Sequence, residues 1–309
     1  MALMFDSETE SPRIPASVPS NYESLSACEK QDILWDKVQA TTYKALPEYR
    51  SFGAVQLLAM SRQELTLKGN AHSDFAPDGW KKYLHRRAAL AKVKIVSKSN
   101  TYSGVFQGSD CALLRLSLTH RASGHKPVAP GLALKVLRDG THSANVSALV
   151  SLEGQGKDFN FFKHSMSNIV AVGEGLGQKL VHRIFRSVSG YPEELLASDM
   201  ALIDSHGEKV KSPRAPRQIF FVPAPGLSFS SSEHDVRQDF LSIPAGTIIY
   251  QLYLLSDKYS HFDYSNYTPK SVSLFLKESQ HVADIVTISA FAASDFGDDG
   301  IFFRHQLRP

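Results

Sequence analysis

The sequence is poor in the features that mark secreted and membrane proteins. It has only two cysteines, Cys28 and Cys111, among 309 residues. One disulfide across so long a loop is possible, but nothing in the sequence supports it, so we expect two reduced thiols. No N-terminal segment joins basic residues to a long apolar run, and no run approaches the roughly 18 to 20 apolar residues of a membrane span. These absences predict a cytoplasmic protein without a membrane partner.

Charge of one sign is also scarce. Lys and Arg number 34 against 31 acidic residues, a net charge of +3, and the basic residues are scattered. A nucleic-acid partner normally requires a basic patch, so we expect none. The densest basic cluster, 81–87, is explained by a solvated helix face. The 12 histidines show no H-E-x-x-H motif, and the cysteines show no paired spacing, so the sequence predicts no zinc site.

Apolar and aromatic residues are plentiful. Hydrophobic residues make up 42% of the chain, with 18 Phe and 11 Tyr. This is enough to build one large core, near the upper size for a single domain. The first residues are rich in Ser, Glu and Pro. We therefore predict a flexible arm over 1–22 and one domain over 23–309.

Helix signals are few. Ser24 or Ser26 can cap a first helix, and Glu29 completes a capping box with Ser26. Pro47 is expected to end this helix. Apolar spacing predicts further helices over 78–90 and 176–187, and another starting near Ser232.

Strand signals dominate the remaining sequence. Alternation and β-branched content predict strands at 92–95, 111–118, 132–137, 144–152, 218–222, 247–255, 271–276, 283–289 and 301–305. Asp139-Gly140 and Asp299-Gly300 are typical of hairpin turns. The fold class is therefore α+β with a dominant antiparallel sheet, and the number of strands suits a closed barrel flanked by helices.

The strand over 111–118 has two unlike faces. Ala112, Leu114, Leu116 and Leu118 form one face, and Leu113, Arg115 and Ser117 form the other. Elsewhere the motifs are weak. The G-x-G-x-G run at 173–177 lacks dinucleotide-binding spacing, and Asp295, Asp298 and Asp299 are best explained as solvated turn acids.

Five segments resemble the catalase family or its short relatives. A-L-L-R-L-S-L at 112–118 is similar to the family's V-R-F-S-T strand, and P-G-L-A-L-K-V-L at 130–137 to its R-G-F-A-x-K-F segment. The Phe161-Phe162 pair stands where catalases have P-V-F-F. Lys82 to His85 resembles their R-x-x-H, and the last residues, 283–308, resemble the end of short catalase-like proteins.

The resemblance implies a catalase-like barrel that binds haem and acts on peroxide or an organic hydroperoxide. His85 would be the general acid/base, and Ser117 would orient its ring. Arg115 and Lys82 would bind the haem propionates, and Phe162 would pack against the macrocycle. Each residue also has an ordinary explanation, since Arg115 can pair with a buried acid and His85 can lie on the surface.

The chain departs from the family at the iron. Lys157 stands where catalases carry their distal Asn, and the C-terminal R-x-x-x-Y segment that supplies the axial Tyr is missing. The axial ligand is therefore unknown, and true catalase activity is not expected. The alternative is a haem-free barrel that binds or transforms an apolar small molecule, as a lyase, a cyclase or a binding module. The family also implies a homo-oligomer, or a scaffold for a partner.

Overall fold

The computed structural model describes residues 18–41, 74–76, 88–99, 110–121, 124–140, 143–150, 166–169, 219–227, 240–254 and 276–303. Within these ranges the chain forms one complete α-helix, eight strands, a 3₁₀ turn over Tyr22–Ser24 and a π-helical turn, and residues 240–241 and 276–277 are also helical. In this part of the chain, no helix has the length and apolar character that a bilayer crossing requires.

The N-terminal helix α1 spans Ala27–Ala40 and begins as the sequence predicts. The Ser26 hydroxyl accepts from the Glu29 N–H, and the Glu29 carboxylate accepts from the Ser26 N–H at 2.9 Å. This capping box satisfies two amide groups at the helix start. The helix ends seven residues before Pro47, and Thr41 caps it by donating to the Lys37 carbonyl.

The strands form a closed antiparallel barrel in which each strand pairs with its neighbours in the sequence and the last pairs with the first. They are β1 (Ala88–Ser97), β2 (Cys111–Arg121), β3 (Gly124–Val136), β4 (Ala144–Val150), β5 (Met166–Ile169), β6 (Ile219–Pro223), β7 (Ile248–Leu254) and β8 (Gln280–Thr287). The prediction of an α+β fold with a barrel-like antiparallel sheet is confirmed.

Several local predictions are wrong. A helix is predicted over Ala88–Leu90, but these residues belong to β1. Both faces of the sheet are covered there, so residues 88–91 are all buried. Leu276 lies in a helical turn, and Ile301 forms only an isolated bridge with Phe75. Asp299-Gly300 closes a π-helical turn, Phe296–Gly300, called the π-turn below.

Asp139-Gly140 does form a turn, and Gly140 has a φ of 54°. The predicted helix 176–187 and residues 78–87, 232–239, 271–275 and 304–305 lie outside the described residues.

Helix α1 packs on the outside of the barrel, across β1 and β2. The Gln31 side-chain amide donates to the carbonyls of Val93 and Ala112, at 2.9 and 2.6 Å. A cluster of buried apolar residues joins helix, strands and π-turn: Tyr22, Leu34, Trp35, Val38, Phe75, Ala88, Leu90, Leu113, Phe296 and Phe303. Tyr22 is 1% exposed, so the end of the arm predicted over 1–22 is packed rather than loose.

The two cysteines are joined, which corrects the expectation of reduced thiols. Cys28 lies in the first turn of α1 and Cys111 begins β2, and their Cα atoms are 5.3 Å apart in a disulfide. Their separation of 83 residues gives no hint of this pairing. The docking of α1 on the barrel brings them together, and only the tertiary structure reveals that contact.

Candidate functional site

The barrel lumen is lined by apolar side chains. Strand register and the position of α1 outside the barrel assign these buried residues to the lumen: Ala89, Ala91, Val93, Ala112, Leu114, Leu116, Leu132, Leu134, Val136, Phe221, Tyr250, Leu252, Ile285 and Thr287. The predicted alternation of β2 is confirmed for residues 112–117, since its all-apolar face is the lumen face. An eight-stranded barrel of this kind is wide enough to be filled by side chains or to hold one small ligand.

The lumen carries very little polarity. Among the buried lumen-facing side chains that the structure describes, only Tyr250 and Thr287 have polar atoms. The Thr287 hydroxyl donates to the Pro244 carbonyl at 3.0 Å, near the end of the barrel. Tyr250 packs edge to face on Phe221, with the ring centroids 6.0 Å apart. Burial raises the pKa of the Tyr250 hydroxyl well above its ordinary value, so this group stays neutral and keeps its proton.

The second face of β2 lies beneath α1 and the π-turn, on the opposite side of the sheet from the lumen. Arg115 and Ser117 are both buried there, at 3% and 2% exposure. Arg115 lies 3.6 Å from the Asp298 carboxylate, which also accepts the Ala88 N–H at 2.8 Å. The Ser117 hydroxyl donates to the Gly131 carbonyl at 3.2 Å.

Asp298 corrects one sequence interpretation. Its place beside Asp295 and Asp299 predicts a solvated turn acid, but Asp298 is only 4% exposed. The π-turn places the Asp298 carboxylate on the outer face of the sheet. There it lies next to Arg115 and to the first residue of β1. Arg115 thus has the buried acid partner that its ordinary explanation requires.

A haem propionate at Arg115 would compete with Asp298 for the guanidinium. A propionate at the guanidinium would place a second carboxylate next to Asp298, and two buried carboxylates repel each other. The chain also fills the adjacent space, since a Cβ built on Gly297 would lie 2.7 Å from Leu90 Cδ1. Leu90 is the strand partner of Arg115. The haem-binding role of Arg115 therefore stays a prediction that requires the π-turn to move.

A second buried ion pair lies on the same side of the sheet. The Lys135 ammonium is 2.9 Å from Asp74 Oδ1, while Asp74 Oδ2 accepts from Tyr22 at 2.9 Å and from Ser143 at 2.8 Å. Burial raises the pKa of the Asp74 carboxyl, but Lys135 and the two hydroxyls outweigh it, so the pKa lies below its ordinary value. Asp74, Lys135, Tyr22 and Ser143 come from four separate segments of the chain. The ion pair and the two hydrogen bonds to Asp74 therefore link these segments.

Lys82, His85, Phe162 and Lys157 lie outside the described residues. The nearest described residue to His85 along the chain is Ala88, which pairs with Ser117 in the register of β1 and β2. The relation proposed between His85 and Ser117 therefore stays a prediction.

Sequence reasoning missed Tyr250 and Asp74. Tyr250 occurs in an apolar run, I-I-Y-Q-L-Y-L, where its side-chain direction depends on the strand register. Asp74 follows a Ser in a segment without periodicity, and no pattern marks it as buried. A signal was available only for Tyr250, whose position in the predicted strand 247–255 fixes which residues share its face.

Comparison with known proteins adds no relative. No family model, no curated protein and no solved structure matches this chain.

Proposed function

We propose that this chain is a catalase-like barrel that works without haem and binds an apolar small molecule in its lumen. The observation that carries the proposal is the combination of an apolar lumen with the buried hydroxyl of Tyr250. Small-molecule sites are typically apolar with few polar groups that orient the ligand. A neutral phenol fits this role because it can donate one hydrogen bond at any physiological pH.

The distribution of side-chain size supports a lumen ligand. Three small lumen residues, Ala89, Ala91 and Ala112, lie on β1 and β2, opposite Leu116, Leu114 and Val93 of the partner strand. The larger side chains, Phe221 and Tyr250, belong to β6 and β7. We infer that the ligand lies against these three alanines and that Tyr250 contacts the polar end of the ligand.

The contacts of Arg115 and Ser117 on the second face of β2 also favour a haem-free barrel. Arg115 has a carboxylate partner in Asp298, and the Ser117 hydroxyl has a carbonyl partner in Gly131. Both groups predicted to serve haem are engaged by the protein itself. A lumen ligand uses neither of them, so it is compatible with this arrangement.

The proposal predicts that purified protein is colourless and carries an organic molecule detectable by native mass spectrometry. Tyr250→Phe keeps the ring and removes the hydroxyl, so affinity for the recovered molecule should fall about tenfold, the scale of one hydrogen bond. Ala112→Phe fills the lumen and should abolish binding. Ala290→Phe adds the same bulk at an exposed position and should leave binding unchanged.

Circular dichroism of each variant checks that the barrel is intact. Binding that survives Ala112→Phe in a folded protein would contradict a lumen site. A protein that yields no bound molecule, and that takes up no apolar fluorescent probe sensitive to Ala112→Phe, would also contradict it.

Haem-dependent hydroperoxide chemistry is the second candidate function. The observation that favours it is that Arg115 and Ser117 share one water-excluded face and that Ser117 pairs with Ala88, three residues after His85. We expect this function only if the π-turn can leave Arg115. In that case Arg115 and Lys82 would bind the propionates, and His85 would hold the proton above the ring.

Adding haem to the purified protein tests this candidate by absorption spectroscopy. A bound haem should give a Soret band distinct from that of free haem, and His85→Gln and Arg115→Gln should each change or remove it. A spectrum identical to free haem, or a band that neither variant alters, would exclude this site. The lumen site itself does not depend on this result, because Ala112→Phe is not expected to change a haem bound outside the barrel.

A further inference from the structure

A cluster of sulfur and oxygen ligands lies where α1 meets the first residue of β2. Cys28, Asp110 and Cys111 each offer one ligand atom, and these atoms all lie within 4.8 Å of one another. Cys28 and Asp110 are exposed, whereas Cys111 is 7% exposed. The cluster therefore has two sulfurs and one carboxylate at the protein surface, open to an ion from solution.

The donor set suits a borderline-soft divalent cation. Thiolates and a carboxylate are all common zinc ligands, at about 2.3 Å for sulfur and about 2.0 to 2.2 Å for oxygen. Donor atoms that lie within 4.8 Å of one another can converge on one ion at such distances. Three protein ligands leave the fourth tetrahedral position open to water. The two sulfurs are available only when the disulfide between them is reduced.

We propose that reduction of the Cys28–Cys111 disulfide creates a zinc-binding site completed by Asp110. A dithiol reductant gives two electrons and two protons to the disulfide, which yields two thiols and the oxidised reductant. Zn²⁺ then displaces one proton from each thiol and forms two Zn–S bonds, and the ionised Asp110 provides a Zn–O bond. Oxidation of the two sulfurs removes the site.

Non-covalent contacts hold the ligands in place when the disulfide is open. Gln31 fastens α1 to the carbonyls of Val93 and Ala112, next to Cys111. The Lys30 ammonium donates to the Arg138 carbonyl at 3.0 Å, and it is fully buried. Because these contacts do not involve sulfur, we expect the two thiols to stay adjacent after reduction, so the site costs little reorganisation.

Lys94 affects how strongly the cluster can bind a cation. It is the strand partner of Cys111, and its ammonium lies 3.3 Å from Asp110 Oδ2. This ammonium competes with the metal for Asp110 and repels a cation. Since Lys94 and Asp110 are both about half exposed, the ammonium can swing away when a cation binds.

Zinc titration of the full chain tests the proposal. The protein is reduced with a phosphine, and Zn²⁺ alone is added in competition with a chromophoric chelator. Reduced protein should bind one Zn²⁺ per chain, and oxidised protein should bind none at this site. Asp110→Asn should weaken binding at least about tenfold, the scale on which metal sites respond to lost supporting groups. Asp36→Asn changes an exposed acid on α1 outside the cluster and should have no effect.

Cobalt provides a readout that needs no variant. Co²⁺ added to reduced wild-type protein should give a thiolate-to-metal charge-transfer band that is absent from the oxidised protein. Lys94→Gln should tighten binding by removing a competing positive charge. Equal binding by oxidised and reduced protein would overturn the proposal. So would the absence of the cobalt band, or the same affinity in Asp110→Asn as in wild type.

Discussion

Asp74→Ala is expected to lower the free energy of unfolding by about 3 to 5 kcal/mol, the usual cost of breaking a buried ion pair by removing one partner. The variant leaves the Lys135 ammonium, which is 1% exposed, without its carboxylate. It also removes the acceptor of the Tyr22 and Ser143 hydroxyls. Urea unfolding followed by circular dichroism measures the change.

Two further variants separate charge burial from a general mutational effect. Asp32→Asn breaks the ion pair with Lys92, in which Asp32 is 61% exposed, and should cost no more than about 1 kcal/mol. The double variant Asp74→Leu with Lys135→Met removes both charges and should recover most of the loss. A loss in Asp74→Ala no larger than that in Asp32→Asn would contradict the role given to this pair.

The same pair fixes a pH dependence. The folded pKa of Asp74 lies below its ordinary value, so the unfolded chain binds the proton more readily. The stability that Asp74 contributes is therefore complete above about pH 4, the unfolded pKa of an Asp, and is lost as the pH falls through the folded pKa. Asp74→Asn should lose less stability than wild type between neutral pH and about pH 3.

Reduction of the Cys28–Cys111 disulfide is expected to lower the free energy of unfolding by up to about 4.5 kcal/mol. This is the loop-closure value for a crosslink between residues that are 83 positions apart. The crosslink restricts the unfolded chain, whereas α1 keeps its contacts with the barrel in the folded state. Urea unfolding of the oxidised protein and of protein held reduced in a metal-free buffer measures the difference.

A variant without the crosslink is the control. Cys28→Ser should unfold at the midpoint of the reduced wild type, and the reductant should not change it further. A reductant effect of the same size on wild type and on Cys28→Ser would show that it acts elsewhere. The test is distinct from zinc binding, because the buffer contains a chelator.

Local patterns in the sequence determined the elements and their faces. The capping box of Ser26 and Glu29 defined the start of α1, and alternation along β2 separated the lumen face from the face that carries Arg115. These features depend on contacts within a few residues or on the two-residue period of a strand, so a single chain contains them.

Only the tertiary structure determined the partners of the polar residues. The acid beside Arg115 comes from the π-turn, 183 positions further along the chain, and Asp74 meets Lys135 across 61 positions. Cys28 meets Cys111 in the same way. Asp110, which directly precedes Cys111, then lies beside both sulfurs. Such pairs form because helix and turn pack on the closed barrel, and no periodicity relates residues that meet through packing. The sequence by itself thus established a barrel with a polar strand face, and the fold decided what each polar group binds.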